Sequence, residues 1–175
     1  HMTVYKNITF GLLELKQDLP VISSKYLKYK RLSEVVLNVN DIKKYFSYSL
    51  DKKKEVVQDK ALLEIIDGFK ISMSSAKEIY DLRFDKLSDE EALALAKTKS
   101  EEYLATAQKV VDELAKDNIT LNENGEYVQD GQVVVKNRKL DKEEIDLRVR
   151  HVARIVHIGE FMDRYPAELA GGQQQ

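Results

Sequence analysis

The residues with the clearest capacity for chemistry are two adjacent glycines and a glutamine, Gly171-Gly172-Gln173. They lie within Tyr165-Pro166-Ala167-Glu168-Leu169-Ala170-Gly171-Gly172-Gln173-Gln174-Gln175. Without Cβ atoms, paired glycines let backbone N–H groups come up to a phosphate, and a helix beginning there adds its positive end. Glutamine supplies a neutral donor to the same place. The same composition also suits a flexible Gly/Gln-rich tail, and the tail alone does not choose. Other reactive side chains are dispersed. His1, His151 and His157 are too scattered for a metal site or a triad, and the last two read as ordinary helix residues. The acid pairs Glu90-Glu91, Glu101-Glu102 and Glu143-Glu144 read as solvated helix faces and first-turn charges. No Gly-x-x-x-x-Gly-Lys-Ser/Thr occurs, so this sequence has no P-loop to cradle a β-phosphate or hold Mg²⁺. Cysteine is absent, which removes disulfides and thiolate zinc sites.

The elements that must position the glycines lie at both ends. Upstream runs Arg138-Lys139-Leu140-Asp141-Lys142-Glu143-Glu144-Ile145-Asp146-Leu147-Arg148-Val149-Arg150, continuing through His151-Val152-Ala153-Arg154-Ile155-Val156-His157-Ile158 to Phe161-Met162-Asp163-Arg164-Tyr165-Pro166. The sequence opens with His1-Met2-Thr3-Val4-Tyr5-Lys6-Asn7-Ile8-Thr9-Phe10-Gly11-Leu12. The tail resembles the Leu-Ser-Gly-Gly-Gln signature of ATP-binding-cassette (ABC) transporter ATPases. The segment before it is similar to the one preceding the signature in sugar importers of the maltose and glycerol-phosphate type. The first twelve residues resemble the segment just after the Q-loop. In an ordinary member of that family the two blocks are nearly contiguous.

That resemblance implies a mostly α fold: an ABC ATPase helical subdomain, residues 1–12 and 137–175, interrupted by a helical insertion domain, residues 13–136, that ends in a small β-hairpin. It implies part of the ATP-hydrolysing subunit of an importer for a sugar or related solute, in which the signature of one subunit closes over ATP held by the partner ATPase subunit. By position, Ala170, Gly171, Gly172 and Gln173 form that clamp, with Ala170 where serine is commoner. Losing a hydroxyl donor to a charged group costs about 1.5–3 kcal/mol. Met2, Thr3, Val4 and Tyr5 would lie near the groove that receives the transmembrane permease subunits. ATP and Mg²⁺ are the parent's cofactors. By the resemblance the Walker B acid and switch histidine would lie beyond Gln175 and the Q-loop glutamine before His1, so this chain alone is expected to hold no cofactor and not to hydrolyse ATP. The expected location is cytoplasmic, peripheral to the inner face of the membrane.

The chain has 175 residues and a formal net charge of −2, enough for one domain or two small ones and without a footprint for nucleic acid or anionic lipid. No apolar run is long enough to span a bilayer and no signal peptide is visible, so a soluble chain is expected. Thr3 can cap a first helix, although Lys6 cannot complete a capping box, and Val4, Ile8 and Leu12 share one face. That helix is allowed to run through Leu15 to Pro20. Lys25, Tyr26, Lys28, Tyr29, Lys30 and Arg31, then Lys43, Lys44, Tyr45, Phe46, Tyr48 and Lys52 to Lys54, interleave cations with rings. The pattern suits nucleic acid, but amphipathic helix with rings in the core accounts for it better.

Val35 to Val39 reads as a short strand or a buried helix. Val56, Val57, Ala61, Leu62, Ile65, Ile66 and Phe69 form one stripe, interrupted near Gly68. Met73, Ala76, Ile79, Tyr80 and Phe84 form another. Ser88 with Glu91 opens the longest helix with a capping box, burying Leu93, Ala96, Ser100, Tyr103, Leu104, Ala107, Val110, Val111 and Leu114 and stopping at Asp117-Asn118. Asn124-Gly125 and Asp130-Gly131 predict a hairpin, with room for a third strand, between Ile119 and Val135. Leu140-Asp141 starts the helix whose apolar face is Ile145, Val149, Val152 and Val156. Val4, Ile8 and Leu12 are expected to pack there, with the insertion burying a separate core. Three functional readings follow: a piece of an importer ATPase, an insertion that docks an unknown partner or regulates, and an insertion tolerated as surface decoration.

Overall fold

The computed structural model describes residues 15–153, with side chains through residue 148. The described chain begins with strand β1, Gln17–Pro20, and ends with a helix. Between them lie α1 (Ser24–Val35), α2 (Val39–Tyr48), α3 (Gln58–Phe69), α4 (Met73–Asp81), a 3₁₀ turn (Phe84–Lys86) and the long α5 (Asp89–Ala115). Strands β2 (Thr120–Leu121), β3 (Tyr127–Gln129), β4 (Gln132–Val133) and β5 (Val135–Arg138) follow, then α6 (Lys142–Ala153). The fold is mostly helical. Among the described residues no helix is long and apolar enough to cross a membrane.

Local chemistry sets most of the boundaries. Ser23 caps α1 by accepting from the Tyr26 N–H at 3.2 Å, and Ser72 caps α4 by accepting from Ser75. Ser88 and Glu91 form the reciprocal capping box, at 3.0 and 3.1 Å. The helix they open stops where Asn118 turns left-handed, at φ 63°. Val35 ends α1 and Val39 starts α2, both buried, so the ambiguous apolar run resolves as a helix–helix corner. Val56 and Val57 precede α3 in extended backbone, where Val56 bridges Leu50 and Val57 holds Ser49 O at 2.9 Å.

One core runs through the helices. Leu32, Val35, Ile42, Phe46, Ile65, Ile66, Ile79 and Phe84 are its most buried large side chains. Tyr45 meets Phe69 edge-on at 5.5 Å, and Phe46 stacks on Tyr80 at 5.2 Å, so the rings interleaved with lysines pack inward. Tyr48 is the exposed exception. Gly68 sits inside α3, and a Cβ there would run into the Tyr45 ring, which explains its place in a helical stripe.

The buried side of α5 is Ala92, Ala96, Ser100, Tyr103 and Ala107. These are mostly small, so α1 approaches closely, and Ser100 Oγ donates to Ser33 O at 2.7 Å. Leu93 and Leu104, expected in the core, are 46% and 42% exposed. The seam of small residues takes the inner side of the helix and turns both leucines outward.

The hairpin expected after Ile119 is a three-stranded antiparallel meander in the order β2-β3-β4. Asp130 and Gly131, both at positive φ, make the tight turn between β3 and β4. Val135 belongs elsewhere. It starts β5, which pairs antiparallel with β1 from Gln17↔Arg138 to Pro20↔Val135. The expected helical run-on to Pro20 is therefore corrected: residues 17–20 are a strand, because their backbone is paired from the other end of the chain. Proline at the end of that strand has no N–H to leave unpaired. The contact expected of Val4, Ile8 and Leu12 with Ile145, Val149, Val152 and Val156 lies outside the residues whose side chains are described.

Candidate functional site

Of the residues with expected roles, Ala170, Gly171, Gly172 and Gln173 and the N-terminal Met2, Thr3, Val4 and Tyr5 lie outside the described residues, as does His157. His151 falls within α6. The structure describes the place where the chain enters and leaves the helical body, and the start of the helix that leads toward the glycines.

Four interactions fix that place. The β1–β5 ribbon is tied across its edge by Asn137 Nδ2 donating to Asp18 Oδ1 at 3.0 Å. Arg138, at the end of the ribbon, donates to Pro20 O at 2.6 and 3.2 Å and forks onto Glu144 at 2.7 and 3.1 Å. The bonds to Glu144 hold the Arg138 guanidinium above its usual range. Two parallel N–H···O bonds fix both distance and plane, which lysine cannot do. Glu144 is also the third helical residue of α6. Asp141 Oδ1 accepts from the Glu144 N–H at 2.9 Å, and Glu144 Oε1 accepts from the Asp141 N–H at 2.8 Å, a second capping box. One glutamate thus starts the helix and locks it to the ribbon.

The body grips α6 from below. Leu140 is buried in the main core and Ile145 packs on it. Glu143 Oε1 accepts from Ser74 Oγ at 2.9 Å, and Asp146 Oδ2 accepts from the Ser74 N–H at 3.3 Å. Asp146 therefore lies over the free N–H groups at the start of α4, where a negative charge is favoured. It is only 9% exposed and its Oδ1 finds no partner among the described residues. Burial pushes its carboxyl above the ordinary range, against the bonds from Ser74 and Met73 that pull it down. The charges facing it are Glu143, which raises it, and Lys28, which lowers it.

Glu143 and Glu144 stand in the first turn of α6 as expected, but the expectation that they are solvated is corrected: both are partly buried, and each has a specific partner on another element. The Asp141-x-x-Glu144 spacing before an apolar run is a signal that could have found this cap, although it was not among the expectations. Nothing local signals Arg138 or Ser74 as partners. Among the described residues no group of three His, Cys, Asp or Glu side chains could hold a metal ion.

Short stretches of this chain are similar to import ATP-binding proteins. The sn-glycerol-3-phosphate import ATP-binding proteins of Bartonella bacilliformis and Roseobacter denitrificans are each 51% identical to it over 41 residues. A second such protein of Rhizobium johnstonii is 40% identical over 58 residues. These matches cover 23% to 33% of this chain and 12% to 15% of the relatives, so the chain spans only a small part of the proteins it resembles. No family model matches the chain, and no solved structure matches it.

Proposed function

We propose that this chain is part of the ATP-hydrolysing subunit of an ABC importer for a sugar or related solute, carrying its signature and a largely helical insertion, residues 13–136. The similarity to import ATP-binding proteins, 51% over 41 residues, carries this reading. The pairing of Gln17 with Arg138 supports it, since a domain inserted between two packed helices must leave and return at one place. In this reading Ala170, Gly171, Gly172 and Gln173 close over ATP and Mg²⁺ bound by the partner ATPase subunit. Met2, Thr3, Val4 and Tyr5 face the permease subunits at the inner surface of the membrane. The P-loop and Walker B acid belong to the rest of the parent subunit, and this chain alone does not turn over ATP.

A second reading gives the insertion a regulatory or docking role. The hold of the body on α6 favours it, because Leu140, Glu143 and Asp146 tie the helix before the signature to α4 and the main core. A partner on the body would then act on the signature through α6. The test uses the parent subunit. Gly172→Asp should cut ATP hydrolysis by at least a hundredfold while nucleotide still binds its own P-loop. Deleting Leu13 to Lys136 should alter transport or its regulation if the insertion docks or regulates, and leave both unchanged if it is decoration. Micromolar, Mg²⁺-dependent binding of ATP to the 175-residue chain alone would overturn the assignment.

A further inference from the structure

A groove of about 270 Å³ runs between α1, the α3–α4 turn and α6. Ile22, Leu27, Ile71 and Leu147 supply its apolar lining, and Ile71 is itself almost fully buried. Its charges are segregated. Arg31 and Lys70 stand on the side of α1 and the turn, and Glu143 on the side of α6. Ser24 on α1 donates to Asp141 Oδ2 at 2.6 Å, tying the two banks together. Two other charged lining residues are already spent, Lys28 on Glu78 at 3.2 Å and Glu144 on Arg138. Arg31 gives one N–H to Phe69 O and holds Glu34 only at 3.4 Å, with half of its side chain exposed. Glu143 spends one oxygen on Ser74. The backbone N–H of Lys70 closes α3 on Ile66 O at 2.8 Å, while its ammonium pairs with no described residue.

We propose that this groove binds a small zwitterion with an apolar body, an apolar α-amino acid, with its carboxylate on Arg31 and Lys70, its ammonium on Glu143 and its side chain on Ile71 and Leu147. A simple anion would leave the Glu143 charge without a counter-ion, and a simple cation would meet Lys70. Only a molecule carrying both charges satisfies both banks, and the apolar lining between them rewards a hydrocarbon side chain. The groove, at about 270 Å³, lies near the lower end of the range of small-molecule sites, which suits a ligand as small as a single amino acid. Because one wall is α6, an occupied groove holds that helix to the body more firmly. The proposal does not depend on the importer reading.

The test is calorimetric titration of the full 175-residue chain with L-phenylalanine, beside phenylacetate and phenethylamine, each of which keeps one charge. Saturable binding of L-phenylalanine is expected, at least tenfold tighter than either analogue. Lys70→Gln should weaken it about tenfold; since the Lys70 ammonium has no described partner, this variant leaves the fold alone. Leu147→Gln should weaken it too, whereas Leu93→Gln, on the outer side of α5, should not. Amide exchange in α6 should slow when the amino acid is present. No saturable binding, equal binding of phenylacetate, or unchanged binding by Lys70→Gln would each overturn the proposal.

Discussion

Gln17 and Arg138 face each other as antiparallel partners, so the chain enters and leaves the helical body through one two-stranded ribbon. An isolated ribbon of this length has little stability of its own. What holds it is Arg138, which grips Pro20 O and Glu144 with both ends of its guanidinium.

Arg138→Lys should therefore behave like a loss rather than a conservative change. The side chains of Arg138 and Glu144 are 21% and 17% exposed, so their charge-assisted bonds are partly shielded from water. The expected loss is about 2 kcal/mol, in the range for hydrogen bonds to charged groups, and Arg138→Ala should lose slightly more. Urea unfolding followed by circular dichroism measures it. Equal stability of Arg138→Lys and the unmodified chain would mean that the fork contributes nothing.

Gly125 and Gly131 provide a matched pair. Both are at positive φ, 73° and 77°, so alanine at either pays the left-handed penalty of about 1–2 kcal/mol. At Gly131 a Cβ would meet nothing within 4 Å, whereas at Gly125 it would strike Leu27 Cγ at 2.5 Å. Gly125→Ala should be the more damaging by about 1–3 kcal/mol, the range for overpacking. Comparing the two urea midpoints isolates the packing part, and equal midpoints would show that Leu27 simply moves away.

Sequence reading succeeded where the signal was local and failed where it was not. Ser88 with Glu91, Asn118 and Asp130-Gly131 each act within four residues, and each marks the boundary it was expected to mark. Gln17-Asp18-Leu19-Pro20 has no alternation to mark a strand; its pairing depends on residues such as Arg138, 118 positions from Pro20. Leu93 and Leu104 fit helical spacing as well as Ala92 and Tyr103 do, and only the close approach of α1 decides which set turns inward. Glu143 and Glu144 look like any first-turn acids until Ser74 and Arg138 arrive from other elements. Ala170, Gly171, Gly172 and Gln173, read from the sequence as a phosphate clamp, lie outside the described residues.

Ser88→Ala should destabilise the chain by about 1 kcal/mol, as loss of an N-cap commonly does. The start of α5 is also held by Lys43, which reaches Leu87 O and Asp89 at 2.8 Å from α2, so the helix should fray by no more than its first turn. Amide exchange should quicken most at Glu90 and Glu91, and at Ser100 by no more than the roughly fivefold that a loss of about 1 kcal/mol allows. Acceleration along the whole of α5 as large as that at Glu90 and Glu91 would show that the cap nucleates the helix rather than trimming its end.

The last prediction concerns the helix before the expected signature. The Asp146 carboxyl is raised above its ordinary value of 3.8, chiefly because burial disfavours its charge. At pH below that ordinary value both folded and unfolded chains carry the proton, and Asp146 imposes no charge penalty. As pH rises, the unfolded chain releases the proton first, so stability is lost until pH passes the raised folded value, after which the loss is constant. Asp146→Asn removes the titration while keeping an oxygen to accept from Ser74. The variant should therefore be more stable than the unmodified chain at pH 7, and the difference should shrink as pH falls toward 3.8 and below. Glu143 and Lys28 also face the group, so Glu143→Gln should reduce the difference and Lys28→Gln enlarge it. Thermal unfolding across pH 3 to 8 reads all three. If Asp146→Asn were less stable at pH 7, the charge would be earning more from the α4 N-terminus than burial takes away, and the clamp on α6 would be electrostatic rather than merely tolerated.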